Sequence, residues 1–304
     1  MRRFVTYTAL FALLVSATLA IGEYCVRTMP NSYQYKNSWI LDNAARVEYL
    51  IMGSSHTYYG FMPSEFFPNS FNLANVSQNS DYDLLLLKKY LPLCKKLHTI
   101  IVPVSYFTFF DKLFEEGSEW HYAINYKLYM DIDRHSNLSK YNFELSNRAV
   151  YSGKLLSFIK GKELPMCDSL GFGLGYTLDT KADSWKYDAQ YIVERHTADN
   201  WDSFDKNYNN MCNLAQFCNE NNLRMIIVTT PTAQVYHSQL NKAQLEKTDS
   251  AVKSICSKYN LIYYNYLSDS RFNDDDFRDG DHLSDIGAKK FTTILKEELA
   301  PLYE

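Results

Sequence analysis

The apolar positions of this chain fall into three regimes. The first is an almost uncharged run over residues 4–22, through Leu10, Phe11, Leu13, Leu14, Val15 and Leu19, with Arg2 and Arg3 in front of it. A helix rises about 1.5 Å per residue, so this run nearly crosses a hydrocarbon core of roughly 30 Å. It predicts a signal or anchor helix over residues 1–22. Arg2 and Arg3 outnumber the single Arg27 that follows, a bias that keeps the N-terminus cytoplasmic and puts the rest of the chain on the extracytoplasmic side. The expectation is an uncleaved anchor. Ala20-Ile21-Gly22 carries the small residues a signal peptidase reads, so a secreted form is the alternative. Cys25 follows Glu23 and Tyr24, where a lipoprotein signal would need small residues.

In the second regime short apolar runs alternate with helix-forming stretches. Strands are predicted over residues 47–52, 70–76, 98–104, 223–229 and 261–264, and helices over 81–93, 202–221, 241–258 and 284–303. The run HTIIVPV is near-continuously apolar, as a strand buried on both faces must be. Strands alternating with helices imply right-handed crossovers and a parallel sheet covered on both faces, a three-layer α/β/α domain. Sites in such sheets lie at the carboxyl ends of the strands, here just after Met52, Val76, Val104, Thr229 and Tyr264.

The third regime, residues 111–201, is Tyr-rich and has no period that places elements. It reads as an insertion in one domain spanning residues 23–304. Gly171, Gly173 and Gly175 form a G-x-G-x-G string inside it. The string follows no strand and opens no helix, which predicts a flexible loop and not a phosphate site.

Composition narrows the function classes. With 304 residues, 46% hydrophobic and 22% charged, the chain has ample material for a core and is neither disordered nor low-complexity. A net charge of -4 with no basic stripe argues against nucleic acid as a partner. The six cysteines form no C-x-x-C pair and no Cys/His cluster, so no zinc site is expected and each reads as a small buried apolar residue. His98, His121, His135 and His237 show no spacing that suggests a metal either. The 25 tyrosines are an excess. Trp120, Tyr122, Tyr126, Tyr129, Tyr176, Trp185 and Tyr187 fall in the insertion, where rings would suit glycan stacking, although compositional bias accounts for the total.

Chemistry gathers at two strings. Gly53-Ser54-Ser55-His56 follows the first strand, and Asp279-Gly280-Asp281-His282 lies between the last strand and the last helix. A serine at a tight strand-to-helix turn presents its hydroxyl at the sheet edge beside backbone N–H groups. The hydroxyl becomes a useful nucleophile when a base takes its proton, and His282 stands at the matching edge. Asp279, three residues earlier, can accept the other imidazole N–H, whereas Asp281 next to the histidine is expected to point elsewhere. Without the second string, Ser55 would read as a helix cap and the acidic run Asp274, Asp275, Asp276, Asp279, Asp281 as a solvated loop. His56 is a candidate pocket residue or a surface turn residue. Glu194-Arg195-His196 reads as a charged loop, with binding of an anionic or sugar substrate as its functional alternative.

These two strings resemble the SGNH or GDSL hydrolases, whose members carry a serine in a Gly-Asp-Ser-like block after the first strand and an Asp-x-x-His block near the C-terminus. The resemblance covers residues 46–108 and 202–302 and omits the middle. It implies a flavodoxin-like α/β/α fold, no cofactor, and ester hydrolysis or acyl transfer with Ser55 as nucleophile, His282 as base and Asp279 as orienter. Ser54 replaces the family aspartate, a departure seen in membrane-anchored relatives that act on envelope polysaccharides and teichoic acids. The implied partners are an envelope polysaccharide or another acylated small substrate and, for a transferase, a membrane-embedded acyl donor protein. Two further family blocks are eroded. The oxyanion donors then fall to the Ser55 N–H, the backbone near Ala74 and the Ser105 hydroxyl. That erosion keeps a second reading open, a catalytically silent binding or assembly module anchored at the membrane.

Overall fold

The computed structural model describes residues 1–112, 117–132, 134, 140–162 and 166–303. In chain order the helices are α1 (Arg2–Arg27), α2 (Ser32–Asn43), α3 (Ser55–Tyr58), α4 (Ser80–Tyr90), α5 (Tyr122–Met130), α6 (Arg148–Ile159), α7 (Trp185–His196), α8 (Phe204–Glu220), α9 (Gln234–His237), α10 (Lys242–Tyr259) and α11 (Asp285–Leu299). The strands are β1 (Tyr49–Ile51), β2 (Ser70–Asn72), β3 (Thr99–Pro103), β4 (Arg224–Thr229) and β5 (Ile262–Asn265). The chain divides into two units, Met1–Asn37 with Phe114–Met166, and Ser38–Leu113 with Cys167–Glu304.

The larger unit is built on a five-stranded sheet of order β2-β1-β3-β4-β5. All its pairings are parallel, with Ile51 beside Ile101, Ile101 beside Ile226 and Val228 beside Tyr264. Side chains alternate across a strand, so each strand feeds two cores. Tyr49, Ile51, Ile101, Ile226 and Val228 pack with Phe291, Leu295 and Leu299 of α11 on one face. The other face carries α8 and α10, which touch each other and meet β4 and β5 respectively, and α4 packs against α8. Buried Met211, Leu214, Ala215 and Cys218 recur on one side of α8, the spacing that makes a helix lie flat on a sheet. This is the three-layer α/β/α arrangement that the alternation implies.

The smaller unit holds α1, α5 and α6. The helix α1 is long and apolar enough to cross a membrane, with a mean hydropathy of 2.0 over its most apolar stretch. Its last turns are not apolar. Glu23 accepts the Glu144 and Leu145 backbone N–H groups at 2.9 Å, and Gly22 lies against Tyr151. Residues read above as one insertion therefore divide, 114–166 grouping with α1 and 167–201 with the sheet. The rings divide with them. Tyr126 and Tyr129 are core residues of the smaller unit, Trp185 is buried in the larger one, and Tyr187 is exposed. Cys94, Cys167, Cys212 and Cys218 are buried, Cys25 and Cys256 are half-buried, and all six thiols are free.

Candidate functional site

The site lies wholly in the larger unit, at the carboxyl edge of the sheet. β1 ends at Ile51, and Gly53 turns the chain with φ at +101°, a left-handed value that a side chain disfavours. A methyl group there would also sit 2.1 Å from Pro103 Cγ at the end of β3. Glycine is thus required twice over, and the turn delivers Ser54 and Ser55 to the first turn of α3. Ser54 caps α3, its hydroxyl accepting the His56 N–H. Capping is the work of the residue that stands where the resembled family has an aspartate.

Ser55 Oγ lies 2.8 Å from His282 Nε2, and His282 Nδ1 lies 3.0 Å from Asp279 Oδ1. A carboxylate only accepts, so Nδ1 carries a proton, and in the neutral imidazole, the form able to act as a base, Nε2 is left to accept from Ser55. Asp279 Oδ1 also accepts the backbone N–H of His282 at 2.9 Å and of Asp281 at 3.2 Å, which closes the loop into a tight turn. Its other oxygen lies 3.4 Å from the Arg278 guanidinium.

Asp281 does not point elsewhere. It is 1% exposed and faces the site, with Oδ2 3.0 Å from His56 Nε2 and Oδ1 3.2 Å from His282 Nδ1. The acidic run is not a solvated loop, because Asp276, Asp279 and Asp281 are all buried while Asp274 and Asp275 are exposed. His56 is no surface residue either. It is 4% exposed, and its Nδ1 lies 2.9 Å from Ser105 Oγ and 3.4 Å from Thr230 Oγ1. The structure thus gathers Ser55, His56, Ser105, Asp279 and His282 around Asp281.

Ala74 takes a different place. Its N–H donates to Asn72 Oδ1 at 3.0 Å, and Asn72 Nδ2 in turn donates to the Thr57 and Phe61 carbonyls of the nucleophile segment. The expected oxyanion amide is therefore a tie between β2 and α3. The Ser105 hydroxyl is likewise paired with His56, and the Ser55 N–H has no acceptor among the described residues.

His196 is a further site residue, which its charged sequence neighbours had suggested was on a loop. It ends α7, its Nδ1 lies 2.9 Å from the Tyr236 hydroxyl and 3.7 Å from Asp281, and its ring packs 4.1 Å from Phe107. Burial pushes its pKa down to about 3 against the pull of Asp281, with His56 and Arg195 acting in the same direction as burial, so it is neutral. At His282 burial again disfavours the cation, but Asp281 and Asp279 outweigh it and hold the pKa well above its ordinary value. Burial opposes the charge of Asp281 too, yet His282 and His56 keep its carboxyl well below the usual range.

Aromatic rings flank the base. Tyr176 stacks on Tyr59 at 3.8 Å, meets the His282 ring at 5.2 Å, and lies under the Arg278 guanidinium at 5.0 Å. The G-x-G-x-G string brings Tyr176 there. The Gly173 N–H bonds the Tyr58 carbonyl, and a side chain on Gly171 would strike the Asn72 carbonyl at 2.1 Å. Gly171 and Gly173 are thus close-packed against β2 and α3 and not part of a flexible loop, whereas Gly175 faces open space.

Donor atoms of His56, Asp281 and His282 lie within 4.8 Å of one another, a spacing a metal ion could use. The same atoms pair among themselves and with Ser55, and this hydrogen-bonded chain accounts for their approach without an ion. His98, His121 and His237 lie outside this group, and His135 lies outside the described residues.

No family model matches the chain, and no curated protein matches it. Among solved structures, it is similar to a GDSL-like lipase from Bacteroides thetaiotaomicron, with 12% identity and a TM-score of 0.43 over 89% of this chain and 100% of the other. It is also similar to a lipase/acylhydrolase from Enterococcus faecalis, with 10% identity and a TM-score of 0.40 over 84% and 97% of the two chains.

Proposed function

We propose that this chain is a serine esterase or O-acyltransferase of SGNH type, acting on O-acyl groups of an extracytoplasmic glycan. The observation that carries the reading is the line Ser55 Oγ, His282, Asp279, with successive contacts of 2.8 and 3.0 Å at the carboxyl edge of a parallel sheet. In this reading His282 Nε2 takes the Ser55 proton as Oγ attacks an ester carbonyl. The Ser55 N–H faces the developing oxyanion. The imidazolium then protonates the leaving alcohol, leaving an acyl-serine that water or a sugar hydroxyl resolves with the same base.

Tyr59 and Tyr176 offer stacked rings beside the base, which suit a sugar ring, and α1 would tether the chain to a membrane with its bulk on the extracytoplasmic side, where envelope polysaccharide lies. A transferase would take its acyl group from a membrane-embedded donor protein.

A fluorophosphonate probe tests the chemistry on the full chain in detergent. Labelling of the wild type that disappears in Ser55→Ala keeps the enzyme, and an unlabelled wild type turns the reading to the silent binding module. If labelling occurs, release of free acetate from an O-acetylated glycan without an added acceptor favours the esterase over the transferase.

A further inference from the structure

We propose that Asp281 is a second positioning carboxylate for His282, locked in place by His56, and that it compensates the imidazolium charge while Asp279 sets the orientation of the ring. This rests on the reading of His282 as the base.

The two carboxylates differ in what already satisfies them. Asp279 Oδ1 accepts three N–H groups of the same turn, and its Oδ2 faces Arg278. Its charge is largely met before the base is protonated. Asp281 is more deeply buried, and its Oδ1 has no hydrogen-bond partner among the described residues although it stands 3.2 Å from His282 Nδ1. That contact is close enough for strong charge attraction but lacks hydrogen-bond geometry, because the Nδ1 proton goes to Asp279.

The charges of the groups facing this spot point the same way. Arg278 offsets Asp279. His196 at the end of α7 is neutral, Tyr236 of α9 keeps its proton because burial raises its pKa well above the ordinary value, and Ser105 and Thr230 are uncharged. Arg195 touches the site only through His196, at 3.3 Å. One buried negative charge remains, on Asp281, and the cation that meets it is protonated His282, the form the ring also takes when it accepts the Ser55 Oγ proton. His56 serves as the anchor. Its Nε2–H donates to Asp281, and its Nδ1 accepts from the Ser105 hydroxyl, which fixes the ring from both sides.

An ordinary triad loses about 10⁴ in kcat when its aspartate becomes asparagine, since the imidazole adopts the wrong tautomer. Here a small rotation of the His282 ring would bring Nδ1–H into line with Asp281 Oδ1, 3.2 Å away, so Asp279→Asn should keep labelling within about a hundredfold of wild type. Asp281→Asn should lower the midpoint of the pH–labelling curve by about one pH unit, the size of effect one nearby charge produces. The experiment measures the pH dependence of the fluorophosphonate labelling rate for wild type, the two single variants and the double variant.

A folded Asp281→Asn with the wild-type midpoint overturns the proposal. So does Asp279→Asn at the level of Ser55→Ala. If Asp281→Asn does not fold, the Asp279→Asn rate decides alone. His282 titration followed by histidine-selective NMR in Ser55→Ala needs no turnover. It should show a midpoint that drops on adding Asp281→Asn, so loss of the esterase reading and loss of this proposal remain distinguishable.

Discussion

Asp83 Oδ1 accepts the Gly53 backbone N–H at 2.9 Å, so the turn that carries the nucleophile hangs on a carboxyl group that is 1% exposed. The same oxygen accepts the Gln78 side-chain N–H at 2.6 Å. Burial raises the pKa of Asp83 from 3.8 to about 7, although both hydrogen bonds favour the charged form.

A raised carboxyl pKa makes the native state bind the proton more tightly than the unfolded chain does. The stability this supplies is fully present below pH 3.8 and is lost as pH rises through about 7. The loss should amount to a few kcal/mol, because each tenfold gain in proton affinity is worth about 1.4 kcal/mol. Asp83→Asn keeps an acceptor for Gly53 without the charge, so its melting temperature should decline less than that of wild type between pH 5 and 8. Parallel declines in thermal melts of the two proteins would remove Asp83 as the source.

Gly53→Ala should be far more costly than a glycine replacement elsewhere. It forces a side chain onto φ at +101° and onto Pro103 at 2.1 Å, so a drop of several degrees in Tm with loss of labelling is expected. Gly153, inside α6, has nothing within 4 Å of an added methyl group. Gly153→Ala should therefore stabilise by about 0.5–1 kcal/mol, the usual gain in a helix interior. Similar melting shifts in the two variants would mean that the Gly53 turn is not specially constrained.

Strands β1, β3 and β4 were readable because each is a short run buried on both faces, and the helices α4, α8, α10 and α11 because they bury one side only. Helices α2, α5, α6 and α7 left no such trace. Tyrosine blurs the contrast there, since Tyr126 is fully buried, Tyr122 half-buried and Tyr187 exposed within helices of similar composition. Ser55, Asp279 and His282 were legible from residue type and spacing. Asp281 and His196 were not, because the turn that closes on Asp279 and the approach of the α7 end to it are tertiary facts. The doubled aspartate in Asp279-Gly280-Asp281-His282 was the one available signal, and adjacency to the histidine hid it.

In the smaller unit, Glu144 is 1% exposed and depends on Lys154 Nζ, 2.7 Å away, and on the Tyr129 hydroxyl. Removing one partner of a buried ion pair strands the other, at about 3–5 kcal/mol. Lys154→Met should accordingly loosen α6, seen as faster limited proteolysis near residue 150. Adding Glu144→Gln should restore much of the resistance. Equal cleavage of wild type and Lys154→Met would show that the pair carries no such weight.

His282→Ala should abolish labelling at every pH, and the structure adds a signed effect on stability. The folded pKa of His282 is held well above 6.5 because Asp281 and Asp279 outweigh the penalty of burial. A base with a raised folded pKa contributes stability that is fully present below 6.5 and disappears as pH rises through the folded value. The melting-temperature gap between wild type and His282→Ala should therefore be widest near pH 6 and narrow on the alkaline side. In the variant Asp281 keeps only His56 as a compensating partner, so the cost at pH 6 is that of a less compensated buried carboxylate rather than of lost packing. Thermal melts of both proteins from pH 6 to 10 read the gap directly. A gap that stays constant over that range would mean that His282 supports the fold by packing, with no part in balancing the charge of Asp281.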